Sequence, residues 1–492
     1  MTAAIALPRL QGLLRTELKL LVRMWVLASA AIVTVLWSVA VQLVPAEARG
    51  VVVPLILLMD LAALGFYFIP SLMVLERAEG ISSAMRVTPA RAGERLAVRV
   101  IALTAASLLA ALVLVLASGH GPMPIVLLGV ASTSVTFALL AVVMVGPFDT
   151  LTAYMVRVPL VAVPLLLPAL LAHLGIWDGW LLQLSPATGQ MELMSGVVTL
   201  PLLAWQLAWI AALWLLAQRA VLAPLRPMRV EAARRSVART RSASSFSVWQ
   251  AIASFARTDR ATLLRDPLVL MIVGGVPALA IGARLVGTIG AGWIRDRFGV
   301  EIGPYLPVIW ALTLVLHTPL MFGSLVGLLF LEDRDARLLP VLATTRASIA
   351  TLVGYRLGAL VLATAVMLPI GFAIAGVSHP AGWIGLAAAV VAAAALAPLP
   401  ALAMAALSPN RAAGMALMKV IGLPFYLPLA AWFIGLPWVV AFGLLPSSWS
   451  LWALWAGSVA TALAAAAMGV AISVAACAVL VRRLVPPGGG VR

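Results

Sequence analysis

The chain alternates long apolar runs with short polar breaks, and the apolar runs recur at roughly the 20-residue length that a helix needs to cross a bilayer. Twelve such runs begin near residues 26, 51, 97, 124, 158, 199, 268, 306, 354, 383, 420 and 451. The pattern predicts an all-α polytopic membrane protein with twelve transmembrane helices. An even number of spans puts both termini on one side. Residues 8–25 follow a different rule. Gln11, Arg15, Lys19 and Arg23 fall four apart, with Leu10, Leu13, Leu14, Leu18, Leu20 and Leu21 on the remaining arc. That is the pattern of a helix lying in the interface, although the same charges also fit a plain basic flank of the first span.

Repetition bears on that choice. Arg15-Thr16-Glu17 and Arg23 recur as Arg257-Thr258-Asp259 and Arg265, 242 positions on, after a second amphipathic segment that opens at Val248-Trp249. The polar stretch from Leu75 to Arg99 has a counterpart from Leu331 to Arg356. A shift of 256 places Leu75 on Leu331, Glu76 on Glu332, Glu79 on Asp335, Thr88 on Thr344 and Leu96 on Leu352 without a gap. Pro147 and Arg157 recur as Pro409 and Lys419, shifted by 262, and Leu184–Thr188 resembles Leu444–Ser448, shifted by 260. The chain therefore reads as two tandem six-helix halves in parallel orientation, 1–223 and 248–492, each preceded by an amphipathic helix. The growth of the shift from 242 to 256 puts about 14 extra residues in the first hairpin of the second half, around Trp293 to Glu301. Residues 224–247, rich in Arg, Ala and Ser without an apolar period, read as a basic linker with an option to touch anionic lipid.

Composition sharpens this picture. A chain of 492 residues that is 63% hydrophobic and 10% charged is not a soluble core. Its net charge of +16 would suggest nucleic acid in a soluble protein, but the charge is sorted by topology. Of 33 Lys and Arg residues, 29 fall on the face that carries the termini; Arg49, Arg284, Arg295 and Arg297 fall on the other. Basic residues resist translocation, so both termini are expected in the cytoplasm of a bacterial cell whose plasma membrane holds the chain, and no nucleic-acid ligand is expected. The single cysteine, Cys477, supplies neither a disulfide framework nor a cysteine metal cluster. No cleavable signal is evident, and the first span is expected to serve as its own insertion signal.

Candidate chemistry is sparse. Asp60 and His317 lie inside apolar runs, where ionisable residues are costly, and the 256 shift carries Asp60 to Leu316, beside His317. They read either as polar spots in a translocation path or as helix-packing partners. A phosphate-cradling loop needs a lysine after glycine, and neither Lys19 nor Lys419 follows one. His120, His173, His317 and His379 are scattered, without a zinc or Ser/His spacing. The chain itself is expected to hold no catalytic residue, metal or cofactor.

Two resemblances remain. Gly292–Gly299 is similar to the Gly-x-x-x-Asp-Arg-x-Gly loop of major-facilitator carriers, which also have twelve spans, so a secondary drug carrier is the alternative reading. That loop would be cytoplasmic, which would invert the charge sorting. The order Glu76, Gly80, Thr88-Pro89 and Arg99 instead resembles the coupling segment of type-2 permeases of ABC exporters, of the fluoroquinolone-export kind. The second half keeps Glu332 and Thr344, with Ala336, Thr345 and Tyr355 at the other positions. The resemblance implies two fused permease halves, with elbow helices carrying Arg15, Lys19, Arg23, Arg257 and Arg265. It implies ATPase coupling through Glu76, Glu79, Gly80, Thr88, Pro89 and Arg99, and through Glu332, Asp335 and Thr344. Segments at Pro186 and Pro446 would cap the external end. Two copies of a separate ATPase subunit would bind ATP and Mg, and a small hydrophobic or amphipathic compound would be exported through the lipid membrane.

Overall fold

The computed structural model describes residues 2–42, 44, 46–78, 81, 88, 90–148, 154–155, 157–222, 248–263, 267–299, 301–335, 349–434 and 439–484. It is helical, with no strand among the described residues, and divides into two units, Met1–Thr240 and Arg241–Arg492. The linker expected at 224–247 lies outside the described residues.

In the first unit, α1 (Thr2–Arg23) turns through 64° into α2 (Val26–Gln42). The turn is made at Trp25, whose φ of 63° lies in the left-handed region that a residue with a Cβ enters at a cost of about 1–2 kcal/mol. On α1 and the turn that follows it, Leu21 and Met24 are buried, while Leu18, Val22 and Trp25 stay exposed. One apolar edge is docked and another faces outward.

The unit continues through α3 (Ala46–Ala78), α4 (Ala92–Ser118), α5 (Met123–Val145), α6 (Val158–His173), the short α7 (Pro186–Met194) and α8 (Leu200–Leu222). Helix α5 is central and packs against α3, α4, α7 and α8. Helices in lipid associate through close packing, and Gly65 of α3 lies so near α5 that a Cβ there would sit 2.9 Å from the Phe137 backbone. A buried polar network fixes α7. Gln206 of α8 accepts from Ser132 (3.0 Å) and Gln190 (3.2 Å) and donates to the Pro186 carbonyl (3.0 Å), while Gln190 donates to Thr136 (3.0 Å).

The second unit opens with α9 (Val248–Leu263), α10 (Pro267–Gly287) and α11 (Ile289–Phe298), the last meeting α10 at 49°. A long helical stretch then runs through α12 (Leu306–Trp310), a π-helical turn (Ala311–Leu316) and α13 (His317–Asp335). It is followed by α14 (Ile349–Ala375), α15 (Gly382–Leu396) with its continuation α16 (Pro398–Leu407), α17 (Arg411–Tyr426), α18 (Val439–Phe442), α19 (Pro446–Trp455) and α20 (Val459–Leu484). Gly323 of α13 repeats the close approach of Gly65, here against the Ala397 carbonyl and the Pro400 ring.

Eight described helices are long and apolar enough to cross a bilayer, and ten if each of the two bent pairs is one span. Of the expected twelve, the runs at 51, which forms α3, and at 158 are not among the ten, and the run at 451 begins elsewhere. The run at 158 becomes α6, 16 residues long and interrupted by Pro164 and Pro168. The run at 451 is divided: Pro446–Trp455 forms a short helix with one face buried, and the long helix begins only at Val459. Both stretches are apolar, so hydropathy alone does not separate them. The Gly292–Gly299 segment is helical to Phe298, and Gly299 (φ 66°) ends the helix by donating its N–H to the Arg295 carbonyl at 2.8 Å.

Candidate functional site: a charged junction in each half

Helix α4 begins with a capping box, in which the Arg91 N–H donates to Glu94 at 2.9 Å. Two turns later Arg99 faces two carboxylates. Its Nε lies 2.6 Å from Glu17 of α1, and its Nη1 donates to Glu76 of α3 at 3.2 Å, with a second, shorter contact to the same carboxylate. The side chains of Arg99 and Glu17 are each only 13% exposed. One guanidinium thus joins three helices, and its planar fork suits two carboxylates at once. Arg9 of α1 pairs with Glu94 and ties α1 to α4 again. The next residue after Glu76, Arg77, reaches the end of α5, donating to the carbonyls of Phe148 (2.9 Å), Val145 and Gly146 (both 3.4 Å). A cation there complements the negative end of the helix dipole.

The second half builds the same junction from Asp333, Arg334 and Arg356. Arg356 donates to Asp333 at 2.6 Å, and Arg334 donates to the carbonyls of Ser408 (2.6 Å) and Ala405 (2.5 Å). Glu76 and Arg99 are 23 positions apart, as are Asp333 and Arg356. The structural register is therefore a shift of 257. The expected matches of Glu76 with Glu332 and of Arg99 with Tyr355 are each displaced by one residue. The same register puts His317 on Asp60. A π-helical turn is what one inserted residue makes of an α-helix, and Ala311–Leu316 stands just upstream of His317.

Glu332 and Asp335 have their own partner, Arg411 at the start of α17, at 3.0 and 3.5 Å. Tyr355 stacks on Phe255 of α9 with centroids 6.3 Å apart. The second half thus packs rings where α9 meets α14, while the first half uses Glu17 and Arg99 where α1 meets α4.

The remaining expected residues are scattered. Thr88 is exposed; Glu79, Gly80, Pro89, Thr344 and Arg265 lie outside the described residues. Arg15 is exposed on α1, and the exposed Arg257 donates to its own helix at Ala253 (3.2 Å). Asp60 is half-buried beside a niche of about 10 Å³ lined by Thr34, Trp37, Ala110 and Leu114, room for about one water. His317 Nδ1 lies 2.7 Å from the Tyr426 hydroxyl.

At the opposite end of α4 and α14 the halves correspond again. His120 meets the Met194 carbonyl at 3.1 Å and His379 the Ala453 carbonyl at 2.9 Å, each pair 74 positions apart, so both short helices α7 and α19 are latched by a histidine. Arg49 and Arg284 donate to the carbonyls of Ser118 (3.3 Å) and Ile374 (3.0 Å), capping the ends of α4 and α14. Sequence reasoning missed these latches, and it assigned no role to Glu17, Arg77 or Arg334. The one available signal was the isolated acid in an otherwise basic amphipathic helix.

Residues 8–226 match the model of the fluoroquinolones export permease protein family, and residues 259–481 match that of the fluoroquinolones export permease protein Rv2686c-like family. Among curated proteins, the chain is similar to the fluoroquinolones export permease protein Rv2686c of Mycobacterium tuberculosis (strain ATCC 25618 / H37Rv), 29% identical over 223 residues, which is 44% of this chain and 87% of the relative. It is also similar to the fluoroquinolones export permease protein Rv2687c of the same strain, 29% identical over 210 residues, 41% of this chain and 86% of the relative. No solved structure matches. Each relative is thus about as long as one half, and both halves of this chain belong to the fluoroquinolone export permease families.

Proposed function

We propose that the chain is the membrane-spanning permease of an ABC exporter, two six-span halves fused in one polypeptide and powered by a separate ATPase subunit bound in two copies. Its cargo is a small hydrophobic or amphipathic compound, a reading supported by the names of its relatives. The observation that carries the reading is the repeated junction, Glu76–Arg99 with Arg77 in one half and Asp333–Arg356 with Arg334 in the other. In each half it ties the tail of one helix, at the edge of the polar stretch that would meet the ATPase, to the two helices that follow. A push on that stretch moves the tied helices together, because separating a part-buried ion pair is expensive. Counting α3 and α6 with the ten candidates would give twelve spans, and the sorting of basic residues supports a topology with both termini and both junctions in the cytoplasm of the bacterial cell. In this topology α1 and α9 are the elbow helices. The test is co-purification with the ATPase subunit. Two copies per chain are expected, with no ATP turnover by the chain alone; turnover by rigorously partner-free chain would contradict the proposal.

A further inference from the structure

Beneath α1 lies a cavity of about 440 Å³, walled by α1, α3 and α4 and by the ends of α5 and α8. That volume is in the range of small-ligand sites. Its floor is apolar, built from residues such as Leu20, Leu72, Leu96 and Val142. Its rim carries Lys19 and Arg23 of α1, both exposed and without an ion-pair partner among the described residues. The two carboxylates in its wall, Glu17 and Glu76, share Arg99, and Arg77 and Arg95 line it as well, so that five cations face two carboxylates. The cavity therefore offers unneutralised positive charge above an apolar bed.

We propose that this cavity binds an anionic phospholipid, its phosphate against Lys19 and Arg23 and the start of its acyl chains on the apolar floor. The position of α1 favours a lipid. The exposed edge of Leu18, Val22 and Trp25 sets this helix at the level where headgroups meet acyl chains. A free anion would leave the floor empty, and a zwitterionic headgroup would bring its own cation against Lys19 and Arg23. Bound here, the lipid sits beside the Arg99 junction and holds α1 to the same helices. Bilayer charge then reaches the junction through α1.

The test titrates the purified full chain in nonionic detergent with phosphatidylglycerol, phosphatidylcholine or soluble glycerol phosphate and follows its thermal unfolding midpoint. Phosphatidylglycerol is expected to stabilise at the lowest concentration. The double variant Lys19→Gln/Arg23→Gln should weaken that response by roughly tenfold or more. Ala220→Phe, which fills the cavity from α8 and leaves every charge in place, should weaken it too. Arg15→Gln, the loss of one charge on the same helix but outside the cavity, should leave it unchanged. The proposal is overturned if phosphatidylcholine acts equally, if glycerol phosphate acts as strongly as the lipid, or if Arg15→Gln weakens the response as much as the double variant.

Discussion

Asp333 and Arg356 are bonded at 2.6 Å across 23 positions, and Glu76 and Arg99 are bonded across the same 23 in the other half. Asp333, and not its neighbour Glu332, is thus the counterpart of Glu76. Asp333→Asn should lower drug-stimulated ATP turnover of the assembled complex as far as Glu76→Gln does. Glu332→Gln should do less, because Asp335 still holds Arg411. Exchanging the charges, Asp333→Arg with Arg356→Asp, should restore part of the loss. Equal damage from Glu332→Gln and Asp333→Asn would return the register to 256.

Arg99 stands between two carboxylates, and its removal leaves both of them part-buried and facing each other. Arg99→Met should therefore destabilise the first half more than either Glu17→Gln or Glu76→Gln, by about 2–4 kcal/mol. Neutralising all three residues together should recover most of that loss, since no unpaired charge then remains. Chemical unfolding of the four variants in detergent measures the difference; additive losses in the triple variant would show that the three do not act as a unit.

Trp25 holds a left-handed backbone at the α1–α2 bend. Trp25→Gly and Trp25→Ala both lose the ring, but only alanine keeps a Cβ at φ 63°. The glycine variant should be the more stable of the two by roughly 1 kcal/mol, read from the unfolding midpoint. Equal stability would mean that the bend relaxes when the ring is removed.

Asp60 and His317 occupy the same register position in the two halves but keep different company. His317 meets the Tyr426 hydroxyl, so Tyr426→Phe and His317→Phe should perturb transport alike. Asp60→Asn should preserve expression and alter efflux of cationic compounds, as expected of a carboxylate held within the bilayer. Unchanged efflux across a broad panel would make Asp60 a packing residue.

How much of this was legible depends on what each feature rests upon. Helical class and two-fold repetition follow from apolar runs and recurring short words, and both are plain in the chain. The exact register was not, because Leu75-Glu76 and Leu331-Glu332 match letter for letter while the structural constraint is the distance from a carboxylate to an arginine on the next helix. The single extra residue taken up in the π-helical turn Ala311–Leu316 moves that constraint by one. The final span was misplaced for a related reason. Pro446 to Leu484 is apolar nearly throughout, and what divides it is a break at Ala456-Gly457-Ser458 after a packed short helix. Arg77 and Arg334 bond carbonyls, which no residue pattern announces.

The most direct measurement is drug movement in proteoliposomes containing the chain with and without its ATPase subunit. The account predicts ATP-dependent transport of an amphipathic drug only when both are present, and its loss in Glu76→Arg while the complex still assembles. Transport by the chain alone, driven by a proton gradient and indifferent to ATP, would contradict it.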